Sequence, residues 1–182
     1  MSASWNDYCA ARRLAAGLDC DGTAEYTALV EDLLATPQLQ SLEAIPHHIP
    51  TTLLTHVRCV SYLSYSLCKR RGGDLRVAAR GGLLHDLYYY DWHDFSDGTH
   101  RWHGVLHPSR ALKNATELLG EIDERTANCI KRHMFPFTPV PPKYKEAWIV
   151  SAADKICSNY DVLIARLPGF RRRFEEESGL KF

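Results

Sequence analysis

The sequence predicts an all-α fold made of a single helical bundle. Three observations carry this reading. Apolar residues recur at helical spacing in segment after segment. Cap and stop residues (Thr52, Gly72-Gly73, Asp74, Asp123) punctuate those segments at helical lengths. No segment alternates apolar and polar residues as a half-buried strand would. With 182 residues, 45% apolar and 24% charged, the chain fits one compact domain with a sizeable core.

Residues 5–17 and 25–36 read as two short amphipathic helices, split by the turn signal Asp19-Cys20-Asp21-Gly22. No calcium-ligand spacing follows that acidic turn, so it is a loop. Pro37 and Pro46 bracket an irregular link. Pro50-Thr51-Thr52 opens the next helix with cap chemistry, and Gly72-Gly73 ends it. Its stripe is Leu53, Val57, Val60, Ser64 and Leu67, with His56 on or beside it. Asp74 caps a helix running through Ala78, Ala79, Leu83, Leu84 and Leu87. Gly81 and Gly82 weaken that helix by roughly 1 kcal/mol each relative to Ala. They would let another helix, or a ligand, approach its backbone.

Residues 88–106 form the one long irregular stretch, rich in aromatics and histidine (Tyr88-Tyr89-Tyr90-Asp91-Trp92-His93-Asp94-Phe95, then Ser96-Asp97-Gly98). His107-Pro108 then starts a helix, with proline at its favoured first position. Asp123 starts another, on which Ile122, Thr126, Cys129 and His133 share a face. A proline-rich turn spans Phe135 to Pro142. A helix from about Tyr144 to Ala165 is apolar on most sides, with Asp154 in its middle. In the last segment Arg171, Arg172 and Arg173 face Glu175, Glu176 and Glu177 at i,i+4, a solvated face worth a few tenths of a kcal/mol per pair.

The totals exclude several classes of function. Lys+Arg and Asp+Glu are both 22, which argues against a general nucleic-acid or anionic-membrane binder. No apolar run is long enough to span a bilayer, and residues 1–7 have neither a basic start nor an apolar stretch. The expected location is cytoplasmic. The six cysteines form no Cys-x-x-Cys, and Cys59, Cys68, Cys129 and Cys157 lie in apolar helical surroundings as reduced core residues.

Four helices each carry an imidazole or carboxylate in an apolar setting: His56, His85-Asp86, His133 and Asp154. His107 sits at a helix start. Taken singly, a buried histidine is ordinarily a hydrogen-bonded core residue, and Asp154 could pair with Lys155 or an arginine. Taken together, four unrelated buried polar groups would be costly, whereas one metal centre satisfies them all. Imidazole with carboxylate suits Zn, Fe, Mn or Ni.

The order His56, His85-Asp86, Asp154 resembles the HD superfamily of metal-dependent phosphohydrolases. The settings match too: Gly81-Gly82-Leu83-Leu84-His85-Asp86-Leu87 and Ala153-Asp154-Lys155, each in a predicted helix. With His107 and His133 in between, the set resembles the binuclear subset of that superfamily. The resemblance covers about residues 50–165, flanked by an N-terminal helical extension (1–49) and a C-terminal helical tail (166–182). It implies two divalent ions, Fe or Mn first, with Zn, Ni, Co and Mg also compatible. Asp86 would bridge them, His56, His85 and Asp154 would hold one, and His107 and His133 the other. A hydroxide between the ions would attack phosphorus in a phosphoester or phosphoanhydride, nucleotide-like or a small organophosphate. Lys155 and Arg110 could grip phosphate, as could backbone N–H groups after Pro108. His103 could be an extra ligand, a proton donor to the leaving oxygen, or an ordinary loop histidine. Tyr88, Tyr89, Tyr90 and Trp92 could stack on a nucleobase or pack the core. His47, His48, His93 and His100 are read as non-ligands. The Gly-Tyr-Pro motif of the cyclic-di-GMP branch is missing. Two other readings compete: a mixed-valent di-iron oxygenase of the same fold, whose ligand set is nearly indistinguishable, and a non-catalytic module that keeps the metal.

Overall fold

The computed structural model describes residues 5–18, 23–47, 51–94 and 102–181. The Asp19–Gly22 turn, His48, Pro50, the Phe95–Gly98 stretch and His100 lie outside them. The elements are α1 (Trp5–Ala15), α2 (Ala24–Leu34), α3 (Pro37–Gln40), a 3-10 turn (Ser41–Ala44), α4 (Leu53–Arg71), α5 (Leu75–Leu84), α6 (His103–Leu119), α7 (Glu124–Arg132), α8 (Lys145–Arg166) and α9 (Pro168–Ser178). The fold is all-α, and the one extended pairing among the described residues is an isolated antiparallel bridge between Pro46 and Thr52. No described helix is long and apolar enough to cross a membrane.

Local chemistry sets most helix starts. The side chains of Thr52, Asp74 and Asp123 accept N–H bonds from Thr55, from Val77, and from Arg125 and Thr126, respectively. Three boundaries differ from the sequence reading. The link from Pro37 to Pro46 is largely helical, because Thr36 caps a turn whose first residue is Pro37. Helix α5 stops at Leu84, short of Leu87. The ring Nδ1–H of His85 takes the Gly82 carbonyl (2.8 Å), which residue 86 would occupy in a continuing helix. Helix α6 begins at His103, one turn before His107, so Pro108 lies inside it. Trp102 adopts a left-handed conformation (φ 61°), and its carbonyl accepts the N–H groups of Val105 and Leu106. No helix start therefore follows Pro108 to offer free N–H groups.

Helix α4 runs between two apolar clusters. One gathers Tyr8, Leu63, Cys157, Ile164 and Phe174 from α1, α4, α8 and α9. The other gathers Leu39, Val57, Leu83, Ala111 and Ile130, together with Leu87 just after α5. Cys9, Cys59, Cys68, Cys129 and Cys157 are buried free thiols. In α9, Arg173 pairs with Glu177 (2.8 Å) and Arg172 with Glu176 (3.9 Å), while Arg171 reaches the Ala165 carbonyl.

The two glycines of α5 do what their lack of Cβ allows. A Cβ at Gly81 would meet the Cys129 side chain at 2.7 Å, and one at Gly82 would meet Ser61 Cα at 2.8 Å. Close approach to α7 and α4 draws three ligand-bearing helices together. Since Ser61 Cα cannot rotate away, Gly82→Ala is expected to destabilise the fold by about 1–3 kcal/mol. Urea unfolding measures this; an alanine variant as stable as wild type would mean that the α4–α5 contact is loose.

Candidate metal centre

Five side chains from α4, α6, α8 and the C-terminal ends of α5 and α7 meet in the interior, joined by Asp86 in the turn after α5. His56, His85, His107 and His133 are almost fully buried, and Asp86 and Asp154 nearly so. One structural device recurs. The Nδ1–H of His85 donates to Gly82 O, that of His107 to His103 O, and that of His133 to Ile130 O, each at 2.8 Å. A carbonyl only accepts, so in these rings Nδ1 carries a proton and Nε2 faces the centre as the nitrogen that could hold a metal.

The two oxygens of Asp86 face different partners. Oδ2 lies 3.5 Å from His85 Nε2; Oδ1 lies 3.2 Å from His107 Nε2 and 3.5 Å from His133 Nε2. Asp154 Oδ1 lies 3.4 Å from His56 Nε2 and 3.8 Å from His85 Nε2. His107 Nε2 and His133 Nε2 approach to 2.8 Å, within hydrogen-bonding distance. His56, His85 and Asp154 each bring a donor atom within 4.8 Å of the other two, and so do His85, Asp86 and His133.

These residues fit divalent ions. Among the described residues, both His56 nitrogens, His85 Nε2 and Asp86 Oδ1 are buried without a hydrogen-bond partner, a costly state that a cation relieves. Burial alone would raise the Asp86 and Asp154 carboxyls, but the surrounding histidines outweigh it and hold both well below the usual carboxylate range. Burial pushes His133 down to about 3, leaving a neutral imidazole. At His85 burial also lowers, yet Asp86 and Asp154 win and raise it to about 9.

A pH dependence follows. Below about pH 9 the metal-free protein holds a proton on His85, which a metal must displace, while the two carboxylates and His133 stay unprotonated at neutral pH. Metal affinity is expected to fall by about tenfold per pH unit between pH 9 and 6, with about one proton released on binding. Calorimetry in buffers of different ionisation enthalpy counts that proton; affinity independent of pH would contradict the arrangement.

A cavity of about 560 Å³ opens onto the centre. Its lining includes Asp86, His107, His133 and Asp154, with Trp92, Met134, Phe137, Lys155 and Asn159. The remaining expectations divide. His103 sits one helical turn before His107, stacks between Trp92 (5.3 Å) and His107 (4.6 Å), and bonds Tyr90 Oη through Nδ1 (2.9 Å). Burial, then the neighbouring His107, lower its pKa to about 4, so it is neutral near pH 7 in the metal-free protein. Lys155 lines the cavity, but its Nζ donates to His133 O (2.8 Å), Ser151 Oγ (2.9 Å) and Ser151 O (3.3 Å). Arg110 is not in the cavity lining; its guanidinium covers the Tyr90 ring at 5.0 Å. Tyr88 is core, packed on Tyr90, while Trp92 is on the cavity wall. His93 pairs with Asp91 at 2.9 Å, away from the centre. His47 lies closer to the centre than its sequence position suggests. Read as a non-ligand, it is buried with its ring 4.0 Å from that of His56.

No curated protein and no solved structure matches the chain significantly. A family model described as HD domain matches residues 53–159, more than half of the chain. That interval contains all six of His56, His85, Asp86, His107, His133 and Asp154, which the fold gathers from widely separated positions into one buried centre. Members of that family are largely metal-dependent phosphohydrolases, and by this match the chain belongs to the HD domain family.

Proposed function

We propose that the protein is a binuclear metal-dependent phosphohydrolase acting on a small phosphoester or phosphoanhydride. The observation that carries this reading is the split of Asp86. One oxygen faces His85 and the other faces His107 and His133, so one carboxylate serves two donor groups. His56, His85 and Asp154 form the first group; His107 and His133 form the second. The ions, when bound, supply a water activated near neutral pH and neutralise charge building on phosphoryl oxygens. The protein residues do the rest. Asp86 and Asp154 stay ionised inside the fold and set the charge of the site. The three Nδ1–H bonds to carbonyls fix ring orientation before substrate arrives. Trp92, Met134 and Phe137 wall off the cavity and give the organic part of the substrate an apolar surface.

Lys155 is a positioning residue in this scheme. Its ammonium donates to the backbone carbonyl of His133 itself, the residue whose ring it steadies. Lys155→Met is expected to weaken one metal by about tenfold while KM changes little. A large rise in KM with metal affinity intact would return Lys155 to phosphate binding.

The activity test is phosphate release from a panel of nucleotides and small phosphoesters by protein carrying two equivalents of Mn or Fe. Turnover that needs the metal and vanishes in Asp86→Ala supports the proposal. Fully loaded protein that hydrolyses nothing in the panel would sink it. One observation favours the oxygenase reading: among the described residues, Lys155 is the one Lys or Arg lining the cavity, and its N–H groups are already engaged. Oxygen uptake by the iron-loaded protein, assayed on small organic and organophosphonate substrates, separates the two chemistries.

A further inference from the structure

His47 lies outside the interval matched by the family model, and nothing in its local sequence marks it as a ligand. Tertiary pairing brings it to the centre. His47 N donates to Thr51 O (2.9 Å) and Leu53 N to Ile45 O (2.8 Å), around the Pro46–Thr52 bridge. Thr52 caps α4, and His56 lies one turn into that helix. The chain before α4 is thus bonded to the first residues of the helix that carries His56. Arg12 Nη1 adds a bond to Thr51 Oγ1 (3.3 Å), tying the same corner to α1.

The result is an imidazole on imidazole, with centroids 4.0 Å apart and planes 30° apart. One nitrogen of His47, one of His56 and one oxygen of Asp86 lie within 4.8 Å of one another, all on buried residues. His47 also lines the cavity with Asp86 and Asp154. His56 belongs both to this triad and to the triad with His85 and Asp154. His47 packs against the ring of His56, which in turn stands with His85 and Asp154, so His47 adds its nitrogen on that side of the centre.

We propose that His47 is a further ligand of the ion held by His56, His85 and Asp154. The inference rests on the metal-centre part of the functional reading and is independent of the phosphate chemistry. A third imidazole gives this ion a nitrogen-rich set with two carboxylates. Such a set selects Fe, Co, Ni or Zn over Mg, which prefers oxygen donors and retained waters. The two ions are then unlike, with His107 and His133 serving the other.

The test compares the wild type with His47→Ala, His47→Gln and His47→Phe. Co(II) titration gives the affinity of each equivalent, and X-ray absorption of the Co-loaded protein counts imidazoles. Helicity and melting of the metal-free proteins identify any variant that fails to fold. All three variants are expected to bind one of the two ions at least about tenfold more weakly, with a lower imidazole count per Co. Phenylalanine separates ligation from packing, since it keeps a ring beside His56 and has no nitrogen. His47→Phe with wild-type affinity and imidazole count overturns the proposal. Wild type that loads Co while folded His47 variants load it equally removes only His47 from the site. Wild type that loads no transition metal removes the metal centre as well, so the two failures are distinct.

Discussion

Asp86→Ala is expected to empty both metal positions and to lower phosphate release by at least about 10³-fold in kcat/KM. Both effects follow from the reach of a single carboxylate. Its Oδ2 stands beside His85, and its Oδ1 stands beside His107 and His133. Without it, the proposed group of His107 and His133 is left with no carboxylate, and that of His56, His85 and Asp154 loses a neighbouring negative charge. The fold is expected to survive. The carboxylate lies in a turn after α5, and α5 itself is held by Leu83 and Leu84 in the core. Removing Asp86 also removes the charge that chiefly holds the His85 pKa up. The His85 pKa then falls from about 9, with Asp154 still opposing burial and the His85 Nδ1–H still on Gly82 O. Asp86→Asn is the control that keeps the shape and loses the charge. Elemental analysis with far-UV circular dichroism checks both parts. A helical variant that still carries two equivalents would show that Asp86 bridges nothing.

The helices and the buried polar residues were legible in the sequence because both rest on local signals, while the grouping of six residues rested on their order, which resembles the HD superfamily. Thr52, Asp74 and Asp123 cap within three residues of themselves, and apolar spacing marks which face of each helix is buried. Polar residues in apolar surroundings then stand out, and His56, His85, Asp86, His133 and Asp154 are all buried as read. What the sequence did not place has tertiary causes. Helix α6 starts early because Trp102 takes a left-handed conformation that sequence rules reserve for Gly or Asn. Arg110 is one turn after His107, which suggested the cavity, yet the Tyr90 ring captures its guanidinium. Lys155 follows Asp154 in sequence but is turned by the helix toward the His133 carbonyl. His47 reaches the centre through a bridge between two irregular segments, and no helical spacing encodes such a contact.

His133→Ala should separate the two halves of the centre. The His133 ring is buried, and its Nε2 faces Asp86 Oδ1 and His107 Nε2, which places it in the proposed second group. Its backbone is held independently of the ring: Ser151 Oγ and Lys155 Nζ both donate to the His133 carbonyl, at 2.6 and 2.8 Å. Truncation to alanine therefore removes a ligand without releasing the end of α7. The other group keeps His56, His85 and Asp154 on α4, α8 and the end of α5, with their mutual spacing unchanged. One equivalent of metal is expected to be lost and the other retained with weakened affinity, since His133 and His85 share Asp86 and neighbouring ligands couple. Phosphate release should fall steeply, because a single ion can no longer both activate water and neutralise the opposite phosphoryl oxygens. Two equivalents in the variant would remove His133 from the ligand set. Loss of both would mean that the ions share more than Asp86 and bind as one unit. Retention of one equivalent with full activity would assign the chemistry to the ion beside His56, leaving His107 and His133 a structural role.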